Sequence, residues 1–137
     1  MKILITGCLG LTGSEAVTFF EEKGWEVVGI DANLRSFFFG TEKQYSDKQN
    51  LFDIDIRDKV SIDELFEKHK FDAIIHAAAQ PSHDWATNNV LVDFDINARG
   101  TVILLEATRK YCPDAVFVHV STDKVYGENM KEENMRE

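Results

Sequence analysis

Three glycines, spaced three residues apart, occupy a position suited to a phosphate-binding turn. Gly7, Gly10 and Gly13 directly follow a short apolar run and open a stretch with helical periodicity. Gly7 would permit a tight turn, Gly10 would let a pyrophosphate approach the backbone, and Gly13 would let the helix pack closely. The first helical residues, Leu11 and Thr12, would add free backbone N–H groups and the positive end of the helix dipole. The spacing therefore predicts a dinucleotide site.

An acidic residue, Asp31, stands at the end of the second apolar run, Val27–Ile30. A carboxylate at this point can accept hydrogen bonds from both ribose hydroxyls of an adenosine and would repel a 2′-phosphate. The pattern therefore favours NAD over NADP as the cofactor. The alternative is that the glycines serve only a turn and Asp31 only ends a strand.

Short β-branched runs alternate with longer helical patterns along the chain. Strands are predicted over Lys2–Thr6, Glu26–Ile30, Asn50–Asp55, Ala73–Ala77 and Ala115–Val120. Helices are predicted over Leu11–Lys23, Asp58–His69, Asp84–Asn97 and Gly100–Tyr111, and a capping-box pattern favours Ser61 as the true start of the second. Such alternation is typical of an α/β fold: a Rossmann-type, doubly wound parallel sheet with strand order 3-2-1-4-5.

The composition excludes several other classes of protein. With 137 residues, 44% hydrophobic residues and a net charge of −9, the chain has the size and balance of one globular domain. Its apolar runs are shorter than a membrane span, and its acidity argues against nucleic acid as a partner. Cys8 and Cys112 have neither metal-ligand spacing nor nearby histidines, so we expect no metal site and a cytoplasmic location.

Four further stretches carry recognisable patterns. They are Asp55-Ile56-Arg57, His76-Ala77-Ala78-Ala79, Asn97-Ala98-Arg99-Gly100-Thr101 and the segment STDKVYG that begins at Ser121. Together with the glycine-rich turn, they resemble the motifs of the extended short-chain dehydrogenase/reductase family, the NAD-dependent sugar-nucleotide epimerases and dehydratases. The resemblance covers nearly the whole chain.

The resemblance implies roles for individual residues around NAD. Asp55 and Ile56 would touch the adenine, and Asn97 would brace the loop after the fourth strand. The small residues Ala77, Ala78 and Ala79, after strand four, would line the dinucleotide. Val120 and Ser121, at the end of strand five, would lie against it. His76 is expected to be packed and structural, and His119 to be buried scaffold within the fifth strand.

Two loops narrow the resemblance to one group within the family. Asn33–Gly40, with the sequence NLRSFFFG, and Gln80–Ala86, with the sequence QPSHDWA, resemble segments of the CDP-paratose (CDP-tyvelose) 2-epimerase group. This implies that Asn33 and Arg35 lie beside the cofactor, and that Gln80 and His83 lie near a nucleotide-sugar substrate. Alternatively, Arg35 is a solvated loop charge and His83 a surface histidine.

The family chemistry implies a catalytic role for Thr122. In this family a Tyr-x-x-x-Lys pair does the acid–base work while hydride passes to NAD and returns, and a Ser/Thr at the position of Thr122 hydrogen-bonds the reacting oxygen. The dehydratases carry an Asp-Glu pair where this chain has Asp123 and Lys124, and the lysine disfavours a dehydratase. The resemblance still implies that both residues lie near the substrate. The resemblance also implies that full-length proteins of the family form homodimers.

The Tyr-x-x-x-Lys pair itself is not in this sequence. The residues four positions after its tyrosines are Gln49, Ala115 and Met130. We therefore expect a cofactor-binding domain over residues 1–127 and a charged tail or truncation point over 128–137. The catalytic pair and the substrate domain of the family would come after this point. We expect the chain to be inactive by itself. A 4-epimerase, a 4,6-dehydratase and a non-catalytic NAD-binding module remain the alternatives.

Overall fold

The computed structural model describes residues 1–34, 36, 50–80 and 82–122. The predictions for Arg35, Asp123 and Lys124, and for the charged tail, lie outside these residues. Within the described part of the chain, no helix is long and apolar enough to cross a membrane.

The described strands form one parallel sheet in the order β3-β2-β1-β4-β5, which confirms the predicted order. The strands are β1 (Lys2–Thr6), β2 (Glu26–Asp31), β3 (Leu51–Asp53), β4 (Ala73–His76) and β5 (Val116–His119). Thr6, the last residue of β1, lies in register between Ile30 and His76. The order reverses between β1 and β4, so the carboxyl ends of these strands open a crevice there.

Helices cover both faces of the sheet. They are α1 (Leu11–Glu22), α2 (Lys59–Lys68), α3 (His83–Asn88), α4 (Val90–Phe94) and α5 (Gly100–Tyr111). Alternate residues of each strand point to opposite faces. Leu4 and Val28 pack with residues of α2 and α5 on one face, whereas Ile3 and Val27 pack with Val17 of α1 on the other. Both faces are therefore buried at the centre of the sheet, as a parallel sheet requires.

The start of α2 differs from the capping-box prediction. Asp58, and not Ser61, caps this helix, because its side chain accepts hydrogen bonds from the backbone N–H groups of Val60 (3.1 Å) and Ser61 (3.3 Å). An aspartate at the N-cap satisfies donors that the helix itself leaves open. The Ser61 hydroxyl donates to the same Asp58 carboxylate at 2.7 Å.

The single helix predicted over Asp84–Asn97 is wrong. The chain leaves helical geometry at Asn89, whose φ of −135° separates α3 from α4, and a turn of π-helix over Asp95–Arg99 then leads directly into α5. The side-chain amide of Asn89 donates to the Trp85 carbonyl at 3.0 Å. Such side-chain bonds offer the backbone an alternative to the regular helix.

Candidate functional site

The glycine-rich turn lies at the carboxyl end of β1 and is closed by backbone hydrogen bonds. Gly7 adopts a left-handed conformation (φ 70°), and its N–H donates to the Ile30 carbonyl at 2.8 Å. A Cβ on Gly7 would lie 2.8 Å from the Cα of Ala78. A side chain is therefore excluded both by the backbone conformation and by the loop after β4.

The other two glycines of the turn differ in what surrounds them. A Cβ on Gly13 would lie 2.0 Å from the Gly7 carbonyl oxygen, so this glycine is required for α1 to pack on the turn. A Cβ on Gly10 would meet only that same oxygen, at 3.2 Å, among the described residues. Gly10 is also the N-cap of α1, and no described side chain caps this helix. The N–H groups of its first turn are thus available to an anion.

Asp31 connects the glycine-rich turn to the end of β2. Its Oδ2 accepts from the N–H of Leu9 at 3.0 Å, and its Oδ1 accepts from the N–H of Asn33 at 2.7 Å. These bonds fix the carboxylate while leaving a further lone pair on each oxygen for ribose hydroxyls. Asn33 is buried in a left-handed conformation (φ 54°), and its side-chain NH₂ has no hydrogen-bond partner among the described residues.

A cleft of about 410 Å³ opens over these residues. It brings together most of the residues predicted to bind the cofactor: Gly7, Gly10, Leu11, Thr12, Gly13, Asp31, Asp55, Ile56, Ala77, Ala78 and Ala79. Asn33 is not among its lining residues. The motifs do not predict the apolar members of the lining: Leu9, Ile30, Ala32, Leu34, Ile54 and Ile96. A cleft that combines the glycine-rich turn and Asp31 with these apolar residues suits a nucleotide with a flat base.

The Asp55 carboxylate at the edge of this cleft is held by a neighbouring cation. Both of its oxygens accept from the Arg57 guanidinium, with Nε at 2.9 Å from Oδ1, and Oδ1 also accepts from the Arg57 N–H at 2.9 Å. Partial burial opposes ionisation of Asp55, but the hydrogen bonds and charge of Arg57 outweigh it and hold its pKa below the usual value. Asp55 is therefore a fixed anion at neutral pH.

A second cleft, of about 480 Å³, adjoins the first and shares Ala78 and Ala79 with it. The structure places here the other described candidates except Asn33, which lines neither cleft: Gln80, His83, Asn97, Val120, Ser121 and Thr122. Polar residues that the sequence analysis did not select also line it: Ser82, Asp93, Thr101 and His119. Thr122, the predicted catalytic residue, and the described substrate candidates Gln80 and His83 therefore lie in a cavity next to the first cleft.

His119 is exposed, so the expectation of a buried scaffold histidine is wrong. It ends β5, which lies at an edge of the described sheet and is paired with β4 alone. An edge strand is covered less completely than the central strands, and the ring of His119 faces the second cleft 5.2 Å from the ring of His76.

Asn97 and Gln80 tie the loop after β4 to the π-helical turn. The Gln80 N–H donates to Asn97 Oδ1 at 2.9 Å, and the Gln80 side-chain amide donates to Asp93 Oδ1 at 2.9 Å and to the Ser82 carbonyl at 2.9 Å. Gln80 is buried. The side chain of Gln80 is therefore engaged in holding this loop, and Asn97 braces it in the way that the resemblance implied.

His76 lies beneath the loop and is almost completely buried. Its ring nitrogens contact the hydroxyls of Thr6 and Thr101 at 2.7 and 2.9 Å. Burial, with a smaller contribution from His119, lowers the pKa of His76 from 6.5 to about 4. The ring is therefore neutral at pH 7. Among the described residues, no cluster of three His, Cys, Asp or Glu side chains is arranged to hold a metal ion.

The comparisons with known proteins agree on one family. Residues 3–137 match the NAD dependent epimerase/dehydratase family. The chain is 34% identical to CDP-paratose 2-epimerase of Salmonella typhi in an alignment of 130 positions that covers 93% of this chain and 38% of that protein. It is also 34% identical to dTDP-glucose 4,6-dehydratase of Salmonella typhimurium in a gapped alignment of 142 positions that covers 93% of this chain and 38% of that protein.

The fold agrees with solved structures of such enzymes. The crystal structure of Thermus thermophilus UDP-glucose 4-epimerase in complex with NAD superposes with a TM-score of 0.69 at 31% identity, over 81% of this chain and 34% of that one. The chain thus spans about two fifths of the length of the curated relatives it matches. By its sequence motifs, its fold and these similarities, the chain belongs to the NAD dependent epimerase/dehydratase family.

Proposed function

We propose that this chain binds NAD in the cleft lined by the glycine-rich turn and supplies the cofactor site of an enzyme that acts on a nucleotide sugar. The observation that carries the proposal is the convergence of Gly10, the uncapped start of α1 and the Asp31 carboxylate on one cleft. The space above Gly10 suits a pyrophosphate, and the Asp31 carboxylate suits a ribose diol. NAD held by these residues would supply the hydride acceptor for a transient oxidation of the sugar.

The charge of the site supports NAD over NADP. The carboxylates of Asp31 and Asp55 both line the cleft. A 2′-phosphate placed at Asp31 would bring two anions together, and the Arg57 guanidinium is already engaged by Asp55. We therefore expect the chain to bind NAD much more tightly than NADP.

In the second cleft, the residues of this chain would position the sugar. Thr122 would hydrogen-bond the reacting oxygen, and His83 would contact the substrate, with Val120 and Ser121 against the cofactor. The family chemistry also requires a Tyr-x-x-x-Lys pair, which the 137 residues do not contain. The activity we propose for this chain by itself is therefore cofactor binding.

For the complete reaction we propose a CDP-paratose 2-epimerase-like inversion through transient oxidation and hydride return. Support comes from the two loops that begin at Asn33 and Gln80, whose sequences resemble that group. A relative that is a 4,6-dehydratase matches at the same 34% identity, so identity alone does not separate the two reactions. The lysine at position 124 favours the epimerase, because a lysine cannot replace the dehydratase glutamate as an acid–base group at neutral pH.

Amide NMR during a titration with NAD tests both the binding and its place. The proposal expects the largest shifts at residues 7–13 and 77–79, with small shifts at the far end of the sheet, near Lys2 and Asp72. Adding CDP-sugar or UDP-sugar to the NAD complex should then shift amides of the second cleft, such as Thr101 and Thr122, without turnover. Shifts confined to other surfaces would refute the cofactor site, and turnover by this chain would refute the restriction to binding.

A further inference from the structure

We propose that His76 is a positioning residue: as the neutral Nε2–H tautomer, it links Thr6 to Thr101 by a one-directional chain of hydrogen bonds that fixes the wall shared by the two clefts. The link to NAD rests on the proposed function, whereas the hydrogen-bond chain itself does not. His76 is 1% exposed, and each of its ring nitrogens has a hydroxyl partner, Thr6 Oγ1 on one side and Thr101 Oγ1 on the other.

The direction of the chain follows from its far end. The Thr101 hydroxyl lies 2.7 Å from the carbonyl oxygen of Asn97. A carbonyl oxygen can only accept, so the single hydroxyl proton of Thr101 is donated there. Thr101 Oγ1 must then accept from His76, which places the ring proton on Nε2.

The near end of the chain is then fixed as well. A neutral imidazole carries one N–H, so Nδ1 of His76 is an acceptor and the Thr6 hydroxyl donates to it. Thr6 Oγ1 in turn accepts from the backbone N–H of Ala78 at 3.1 Å. The order of donation therefore runs from Ala78 to Thr6 to His76, and from His76 to Thr101 to the Asn97 carbonyl.

This chain of hydrogen bonds fixes the position of the loop after β4. The Ala78 N–H is held by Thr6, and the Gln80 N–H is held by the side chain of Asn97. The Ala78 backbone also lies so close to Gly7 that a Cβ on Gly7 would not fit. Ala78 and Ala79 line both clefts, so a change at His76 would move a wall of the cofactor cleft without touching the cofactor.

The tautomer can be observed directly. A long-range ¹H–¹⁵N correlation spectrum of the histidine rings at pH 7 should show His76 neutral, with its proton on Nε2. A proton on Nδ1, or on both nitrogens, would overturn the proposal. This readout requires no cofactor, so it stands even if the chain fails to bind NAD.

The positioning role is tested by substitution at Thr101, with the conservative change as its control. Thr101→Val removes the acceptor for His76, whereas Thr101→Ser retains it. We expect Thr101→Val to accelerate hydrogen exchange at the Ala78 amide by about tenfold and to weaken NAD binding by a similar factor, the order of magnitude of one lost hydrogen bond. Thr101→Ser should restore both to within about twofold of wild type.

A role confined to global stability would give a different pattern. In that case Thr101→Val would accelerate exchange equally at Ala78 and at central sheet amides such as Leu4 and Val28. His76→Asn is the second variant, because its side-chain oxygen can still accept from Thr6 but cannot reach Thr101. It should retain slow exchange at Ala78 more fully than His76→Phe does. Uniform acceleration in Thr101→Val, or equal exchange at Ala78 in the two His76 variants, would overturn the proposal.

Discussion

The Asp31 carboxylate lies 3.0 Å from the backbone nitrogen of Leu9, across 22 positions of sequence. The acid proposed to bind the ribose is thus also hydrogen-bonded to the turn proposed to bind the pyrophosphate. Its other oxygen accepts from the Asn33 N–H. The two halves of the proposed cofactor site are therefore held together by the protein's own hydrogen bonds, which reduces the ordering that binding must impose.

Replacement of Asp31 should consequently affect stability as well as binding. Asp31→Ala removes both acceptors and should lower the free energy of unfolding by about 2 kcal/mol, whereas Asp31→Asn retains one oxygen and should lower it by about 1 kcal/mol. Urea denaturation measures both changes. The control is Glu22→Ala, which removes the same charge from an exposed position at the end of α1 and should change stability by less than about 0.5 kcal/mol. Equal stability of Asp31→Ala and Glu22→Ala would contradict this interpretation of the contact.

The glycines of the turn should separate folding from binding. In Gly13→Ala the new methyl would lie 2.0 Å from the Gly7 carbonyl oxygen, so we expect a loss of at least about 3 kcal/mol or failure to fold. Gly10 lines the cleft and has an ordinary φ of −78°, so Gly10→Ala should fold with a cost below about 1 kcal/mol while losing most NAD affinity.

Gly24→Ala is the matched control for these two variants. Gly24 has a positive φ of 75°, but a methyl added there would meet no other part of the described chain within 4 Å, its immediate neighbours aside. It follows α1 at the end away from the turn. The substitution should cost about 1 kcal/mol through backbone strain alone and leave NAD affinity unchanged. Thermal unfolding and an NAD titration check the set. A Gly10→Ala protein that binds NAD like wild type would show that the pyrophosphate does not lie over this residue.

The buried His76 ring should make stability depend on pH. Its pKa is about 4 in the folded chain against a usual 6.5, so between these values the unfolded chain binds a proton that the folded chain does not. Its contribution is fully present above pH 6.5 and is lost as the pH falls toward 4, by about 3 kcal/mol in all. Urea denaturation between pH 7 and 4.5 should show a steeper loss for wild type than for His76→Gln. Parallel curves for the two proteins would rule out His76 as the source.

Asn97 should prove sensitive to charge. Asn97→Ala removes the acceptor for the Gln80 N–H and should cost about 1 kcal/mol. Asn97→Asp keeps that acceptor but places a carboxylate where the amide now donates to Asp93 Oδ1 at 3.0 Å. Repulsion between the two carboxylates should make Asn97→Asp less stable than Asn97→Ala at pH 7. Thermal unfolding of the two variants tests this, and an Asn97→Asp protein as stable as wild type would argue against the contact.

Much of this architecture is predictable because it depends on local patterns. The alternation of apolar runs with helical stretches leads to the order 3-2-1-4-5, and the structure confirms it. Gly7 and Gly13 are likewise predictable, since a tight turn against a helix start leaves no room for a side chain.

Other features depend on contacts that a pattern of residue types does not contain. At Asn89, where the chain leaves helical geometry, the side-chain amide donates to the Trp85 carbonyl, a bond that the sequence does not announce. The cleft residues Ile30 and Ile96 are also buried, and nothing in the sequence separates an isoleucine that lines a cleft from one that only fills a core. The exposure of His119 depends on its position in an edge strand, which only the assembled sheet reveals.

Calorimetric titration of the chain with NAD, with Asp31→Ala and Glu22→Ala measured in parallel, tests the central claim most directly. We expect one NAD per chain, a loss of at least about tenfold in affinity for Asp31→Ala, affinity within about twofold of wild type for Glu22→Ala, and much weaker binding of NADP. Absence of NAD binding by the wild-type chain, or equal affinities in the two variants, would contradict the proposed cofactor site.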